Sequence, residues 1–145
     1  MLTMRFTLAV GFASALCTLP VAWAQSENYL PKEQHAKAVA WVSGGIGKAE
    51  ADAMRGVAKG YNLRLVFAEA QQTYAAFVAD VAVKISDAKG GTVLQIRSGP
   101  LLFLKLPAGR YSVSAKVANQ TITKSVRVRD KVPKEITLIW PQTVG

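Results

Sequence analysis

The chain has 145 residues, half of them hydrophobic, with 18 basic side chains against 9 acidic and a formal net charge of +9 at pH 7. That length suits one domain with a genuine core, and the single cysteine, Cys17, excludes an internal disulfide. A single histidine, His35, leaves no ligand set of metal-binding spacing, and no nucleophile with its base or phosphate loop is present, so neither an enzyme, a metal nor a cofactor is expected.

Met1 to Arg5 carry one positive charge, Phe6 to Leu19 form an apolar run too short to cross a bilayer, and Ala22-Trp23-Ala24 has the small-residue form of a processing site. Residues 1–24 therefore read as a signal peptide cleaved after Ala24, sending the chain to the periplasm or the exterior with no transmembrane span after processing. A lipid anchor at Cys17 is disfavoured because Leu16 stands where a small residue is needed. Arg5 is the one charge upstream of Gln25, so the basic excess stays with the processed chain. From Val78 onward eleven basic side chains face only four acidic ones. Such a field favours an anionic glycan, lipopolysaccharide or acidic protein as partner. Nucleic acid is not expected, because no aromatic residues interleave with the cations and the chain is exported.

Residues 25–45 are polar and mixed, and read as a flexible N-terminal arm ending in the turn Ser43-Gly44-Gly45-Ile46-Gly47. Residues 46–145 read as a helix plus a β-sandwich. Ile46, Ala53, Met54, Val57, Ala58 and Tyr61 share one side of a helix predicted over Lys48 to Lys59, with Glu50 and Asp52 in its first turn. The period then changes to two. Leu63, Leu65 and Phe67 alternate along a first strand, and Ala79, Val81, Val83 and Ile85 along a second. Asp87 to Gly91 turns into a third strand, Thr92 to Arg97, and Ser98-Gly99-Pro100 leads to the apolar run Leu101 to Leu106. Pro107-Ala108-Gly109 opens the fifth strand, Arg110 to Ala118. A sixth follows in a hairpin, and Glu135 to Trp140 places Ile136, Leu138 and Trp140 inward in a seventh.

With Asn119 and Gln120 as the hairpin turn, Val117 faces Ile122, Val113 faces Val126 and Tyr111 faces Val128. The other side then pairs Lys116 with Thr123, Ser114 with Ser125, Ser112 with Arg127 and Arg110 with Arg129. Lys124 is the exception, a cation of apolar parity whose ammonium can reach water. The expectation is an all-β, seven-stranded antiparallel Greek-key sandwich with one short N-terminal helix.

The phrase Pro100-Leu101-Leu102-Phe103-Leu104-Lys105-Leu106-Pro107-Ala108-Gly109-Arg110-Tyr111, in this order of strands, resembles carboxypeptidase regulatory-like domains of the transthyretin-like, or prealbumin-like, sandwich class. The resemblance covers Val78 to Trp140. It implies a fold and a non-catalytic accessory role, since such modules accompany enzymes without doing their chemistry. The purine-catabolic hydrolases of the same class rely on histidines and a characteristic tail. Neither is matched by His35 or by Trp140 to Gly145.

The best functional surface is the outer face of the Asn119 hairpin, with Arg110, Ser112, Ser114, Lys116, Thr123, Arg127 and Arg129, set against the plain reading of an ordinary solvated sheet face. The Ser43 to Lys48 turn could cradle an anion at a helix start, or simply meet a backbone requirement. Trp41, Phe103, Tyr111 and Trp140 suggest sugar stacking only if they lie outside the core. A monomeric binding or accessory module is therefore expected, with assembly by β-strand pairing as the alternative and a hydrolase last.

Overall fold

The computed structural model describes residues 29–142. The expected signal peptide, its cleavage site after Ala24 and Cys17 lie outside the described residues.

Ten strands and one helix make up the described chain: β1 (Gln34–Ala36), β2 (Val39–Gly44), α1 (Lys48–Val57) with a 3-10 turn at Ala58–Gly60, β3 (Leu63–Ala70), β4 (Ala75–Phe77), β5 (Val81–Asp87), β6 (Thr92–Ser98), β7 (Leu101–Lys105), β8 (Gly109–Val117), β9 (Gln120–Val128) and β10 (Lys134–Trp140). They form two sheets. One runs β1-β2-β7-β3-β10, with β4 pairing β3 beyond the end of β7, and the other runs β6-β5-β8-β9.

Alternation along the strands places the main core between the sheets. Leu63, Leu65, Phe67, Leu102 and Leu104 meet Val81, Val83, Ile85, Val113, Ala115 and Val126, all nearly inaccessible. Trp140 closes this core with its ring 6.1 Å from that of Phe67, and its indole N–H donates to the Gln120 carbonyl at 3.1 Å. A second, smaller core lies on the far side of the larger sheet, where Ala51 and Met54 of α1, with Ala58 and Tyr61, cover Val42, Leu101 and Phe103. Strand β7 is thus buried on both faces, which is why residues 101–104 show no alternation. At about 1.5–3 kcal/mol per fully buried large apolar side chain, this strand is a principal contributor to stability.

The Leu106 to Tyr111 phrase carries the chain from one sheet to the other. Tyr111 turns back to donate its hydroxyl to the Pro107 carbonyl at 2.6 Å, fastening the crossover. Before it, the Asn62 side chain copies a strand partner, donating to the Leu106 carbonyl at 2.7 Å and accepting from the Leu106 N–H at 2.9 Å.

Four features differ from the sequence expectation. The strand count is ten rather than seven, because β1, β2 and β4 are short or mixed in polarity. Residues 34–44, expected within an irregular arm, form β1 and β2, and β2 pairs β7 from Ala40 with Lys105 to Gly44 with Leu101. The sandwich is not wholly antiparallel, since β10 pairs β3 in parallel along Leu63 to Glu69. The β8–β9 hairpin turns at Ala118 and Asn119, with Ala118 at φ 51°, so its register moves by two residues. Tyr111 faces Val126, Val113 faces Lys124 and Arg110 faces Arg127. A shift of two leaves every side chain on its expected face. Lys124 is exposed on edge strand β9, where an inward-pointing cation discourages pairing with another chain.

Candidate anion-binding face

Residues that alternate with the core set build the outer face of the four-stranded sheet. The ladders order them in rows: Arg97, Ala82, Lys116 and Thr121; then Gln95, Lys84, Ser114 and Thr123; then Thr92, Ser86, Ser112 and Ser125; and finally Arg110 beside Arg127. Two-residue steps set successive rows roughly 7 Å apart. Five cations therefore stand among small hydroxyl side chains on this face. Arg97 donates to Asp80 at 3.1 Å. Among the described residues no ion pair engages Lys84, Arg110, Lys116 or Arg127.

Arg110 and Arg127 stand directly opposite one another, a like-charge pairing that destabilises a ladder when nothing compensates it. With Ser112, Ser125, Tyr111 and Asp87 they line a shallow trough of about 570 Å³. Asp87 is the acid of this trough. One of its carboxylate oxygens accepts from the Lys89 and Gly91 N–H groups, each at 2.9 Å, which ties it to the β5–β6 turn. Burial, with Asp87 nearby, pushes the Tyr111 phenol above its ordinary pKa, so Tyr111 enters the trough wall as a neutral group.

Of the residues selected from sequence, Arg110, Ser112, Ser114, Lys116, Thr123 and Arg127 share this face. Arg129 lies past the end of β9, bridged to Val132, and with the two-residue register shift it is Arg127, not Arg129, that pairs Arg110. Lys84 and Arg97 were missed. Lys84 had the right signal, a cation between inward Val83 and Ile85, but that β5 lies beside β8 is a long-range fact with no local signature.

The other candidates resolve into structure. The Ser43 to Lys48 turn already holds a carboxylate, as Glu50 accepts from the Gly45 N–H at 2.8 Å and the Ile46 N–H at 3.4 Å. A Cβ at Gly44 would come 2.3 Å from that carboxylate, and one at Gly99 would come 2.7 Å from the Gly44 carbonyl, so both glycines serve close packing. Phe103, Tyr111 and Trp140 are buried, and Trp41 packs against the main core from β2. His35 is exposed, 3.2 Å from Glu33. Glu33 also accepts from the Tyr61 hydroxyl and, at 3.2 Å, from Lys105, whose ammonium sits 4.9 Å over the Tyr61 ring. The Tyr61 and Lys105 hydrogen bonds hold the Glu33 carboxyl below its usual range, while burial and the Glu33 hydrogen bond raise the Tyr61 phenol. This cluster fastens residues 29–33 to the larger sheet.

No His, Cys, Asp or Glu group able to hold a metal occurs among the described residues, and none of their helices is long and apolar enough to cross a membrane. No family model matches the chain, and no curated protein matches its sequence.

Proposed function

We propose that this protein is a non-catalytic binding module of the periplasm or cell exterior that engages polyanionic envelope material through the outer face of its four-stranded sheet. The observation that carries the reading is the cross-strand pair Arg110 and Arg127, without an acidic partner among the described residues and flanked by the Ser112–Ser125 pair. Two guanidinium forks with hydroxyl donors beside them suit phosphate, sulfate or carboxylate oxygens, and a bound anion would relieve the repulsion that the pairing creates. Lys84, Lys116 and Arg97 extend the positive surface, so a repeating anion such as an acidic glycan or the phosphates of lipopolysaccharide fits better than a lone ion.

The export reading rests on the Ala22-Trp23-Ala24 signal, and the Greek-key, carboxypeptidase regulatory-like reading rests on the Leu106 to Tyr111 crossover and the β6-β5-β8-β9 order. Assembly by strand pairing is the second reading, favoured by the outer edge of β10, which pairs with no described strand. Pro133 and Pro141 at its two ends limit that edge.

Chromatography of the purified protein on immobilised heparin and on lipopolysaccharide tests the main reading. Retention at low salt with release near physiological ionic strength is expected, and none on neutral dextran. Failure to bind either polyanion at low salt would overturn it.

A further inference from the structure

The outer surface of the larger sheet is only half covered by α1. Its rows on that side are Phe103, Arg64 and Glu135; Leu101, Val66 and Thr137; and Phe77, Ala68 and Ile139. The helix seals the Phe103 and Leu101 end. A groove of about 420 Å³ remains between α1 and β10, floored by Arg64 and Val66 and walled by Arg55, Ala58, Phe77 and Thr137. That volume lies within the roughly 300–1,000 Å³ of small-molecule clefts. Phe77 and Ile139, 44% and 49% exposed, extend an apolar surface from it.

At its floor the Nε of Arg64 is buried with no hydrogen-bond partner among the described residues, a costly state for a charged donor. Its ion-pair partner, Glu135, lies 4.0 Å away, beyond hydrogen-bonding distance, and has a half-exposed side chain. Arg55 flanks the mouth, its guanidinium 5.7 Å over the Phe77 ring, and shares its charge with Asp52 at 3.4 Å. A cationic donor without a hydrogen-bond partner at one end and exposed apolar side chains at the other describe an amphiphilic ligand.

We propose that this groove binds a small carboxylate with an apolar body, such as a fatty acid, with its carboxylate on Arg64 and its chain over Val66, Phe77 and Ile139. The site is independent of the basic, anion-binding face on the other sheet. Glu135 acts as the competing anion that the ligand displaces from the neighbourhood of Arg64, so it weakens binding.

Titration calorimetry with decanoate, held below its micelle-forming concentration, tests this, with decanol as the uncharged control. Decanoate is expected to bind at least tenfold more tightly than decanol. Arg64→Gln should remove that preference, and Glu135→Gln, on the exposed wall, should tighten decanoate binding severalfold while leaving decanol unchanged. Should Arg64→Gln fail to fold, Glu135→Gln and the decanol comparison decide alone. Absence of decanoate binding to the wild-type protein, equal binding of decanol, or decanoate affinity indifferent to Glu135→Gln would each overturn the proposal.

Discussion

The two sheets use the same alternating strands to different ends. The larger sheet is buried from both sides along β7, between the other sheet and α1, whereas the four-stranded sheet is buried on one side only and turns a basic, hydroxyl-rich face to water. The first is a structural layer with little freedom for chemistry at its centre. The second has a whole face that stability does not constrain, and a functional surface can evolve there at low cost to the fold.

Aspartate scanning sharpens that contrast most strongly. In β7, both Leu102→Asp and Phe103→Asp should be severe, because each parity faces a core. In β8, only Val113→Asp should be severe, while Ser114→Asp should cost less than about 0.5 kcal/mol. Each severe case introduces an unpaired buried charge and should cost about 3–5 kcal/mol, a large share of a domain's stability. Denaturant melts check this, and tolerance of Phe103→Asp would show that the helix does not seal its side of the sheet.

A middle-sized effect is expected at the crossover that joins the sheets. Tyr111→Phe removes the hydroxyl that donates to the Pro107 carbonyl and leaves that ring in the core, for a loss of about 1 kcal/mol. An unchanged denaturation midpoint would mean that the hydrogen bond does not hold the crossover.

The smallest effect belongs to Glu33. Its folded-state pKa is lowered by the Tyr61 and Lys105 hydrogen bonds, so its contribution is present above the ordinary carboxylate range and is lost as pH falls through the lowered value. Wild type should therefore melt slightly above Glu33→Gln at neutral pH, and the gap should close on acidification. A gap that widens in acid would give the opposite sign and refute the assignment.

How much of this was legible in the sequence follows the same division. The four-stranded sheet was read almost completely, because Val81, Val83 and Ile85, and Tyr111, Val113 and Ala115, alternate cleanly with polar neighbours. Its hairpin register was misplaced by two residues because such a slip preserves both faces, and turn chemistry at Ala118 decides between them. That slip pairs Arg129 with Arg110 where the structure has Arg127, while the other six residues share one face. The larger sheet was read less well. Strands β1 and β4 are three residues each, β2 sits in a mixed segment, and the parallel pairing of β10 with β3 joins parts of the chain about 70 residues apart with no local signal. Lys84 and Arg97 were invisible as site residues for the same reason: sequence gives a residue's face readily and its neighbouring strand hardly at all.

The central claim is that binding belongs to one face and is not a property of net charge. Affinity for heparin at low salt, measured for two charge-matched double variants, separates these directly. Arg110→Glu with Arg127→Glu alters the proposed face, and Lys48→Glu with Lys59→Glu makes the same charge change on α1 and the turn after it, on the larger sheet's far side. The first variant should lose at least tenfold in affinity with little change in melting temperature, and the second should stay within about twofold of wild type. Equal losses in the two variants would contradict the account and reduce the sheet face to an ordinary solvated surface.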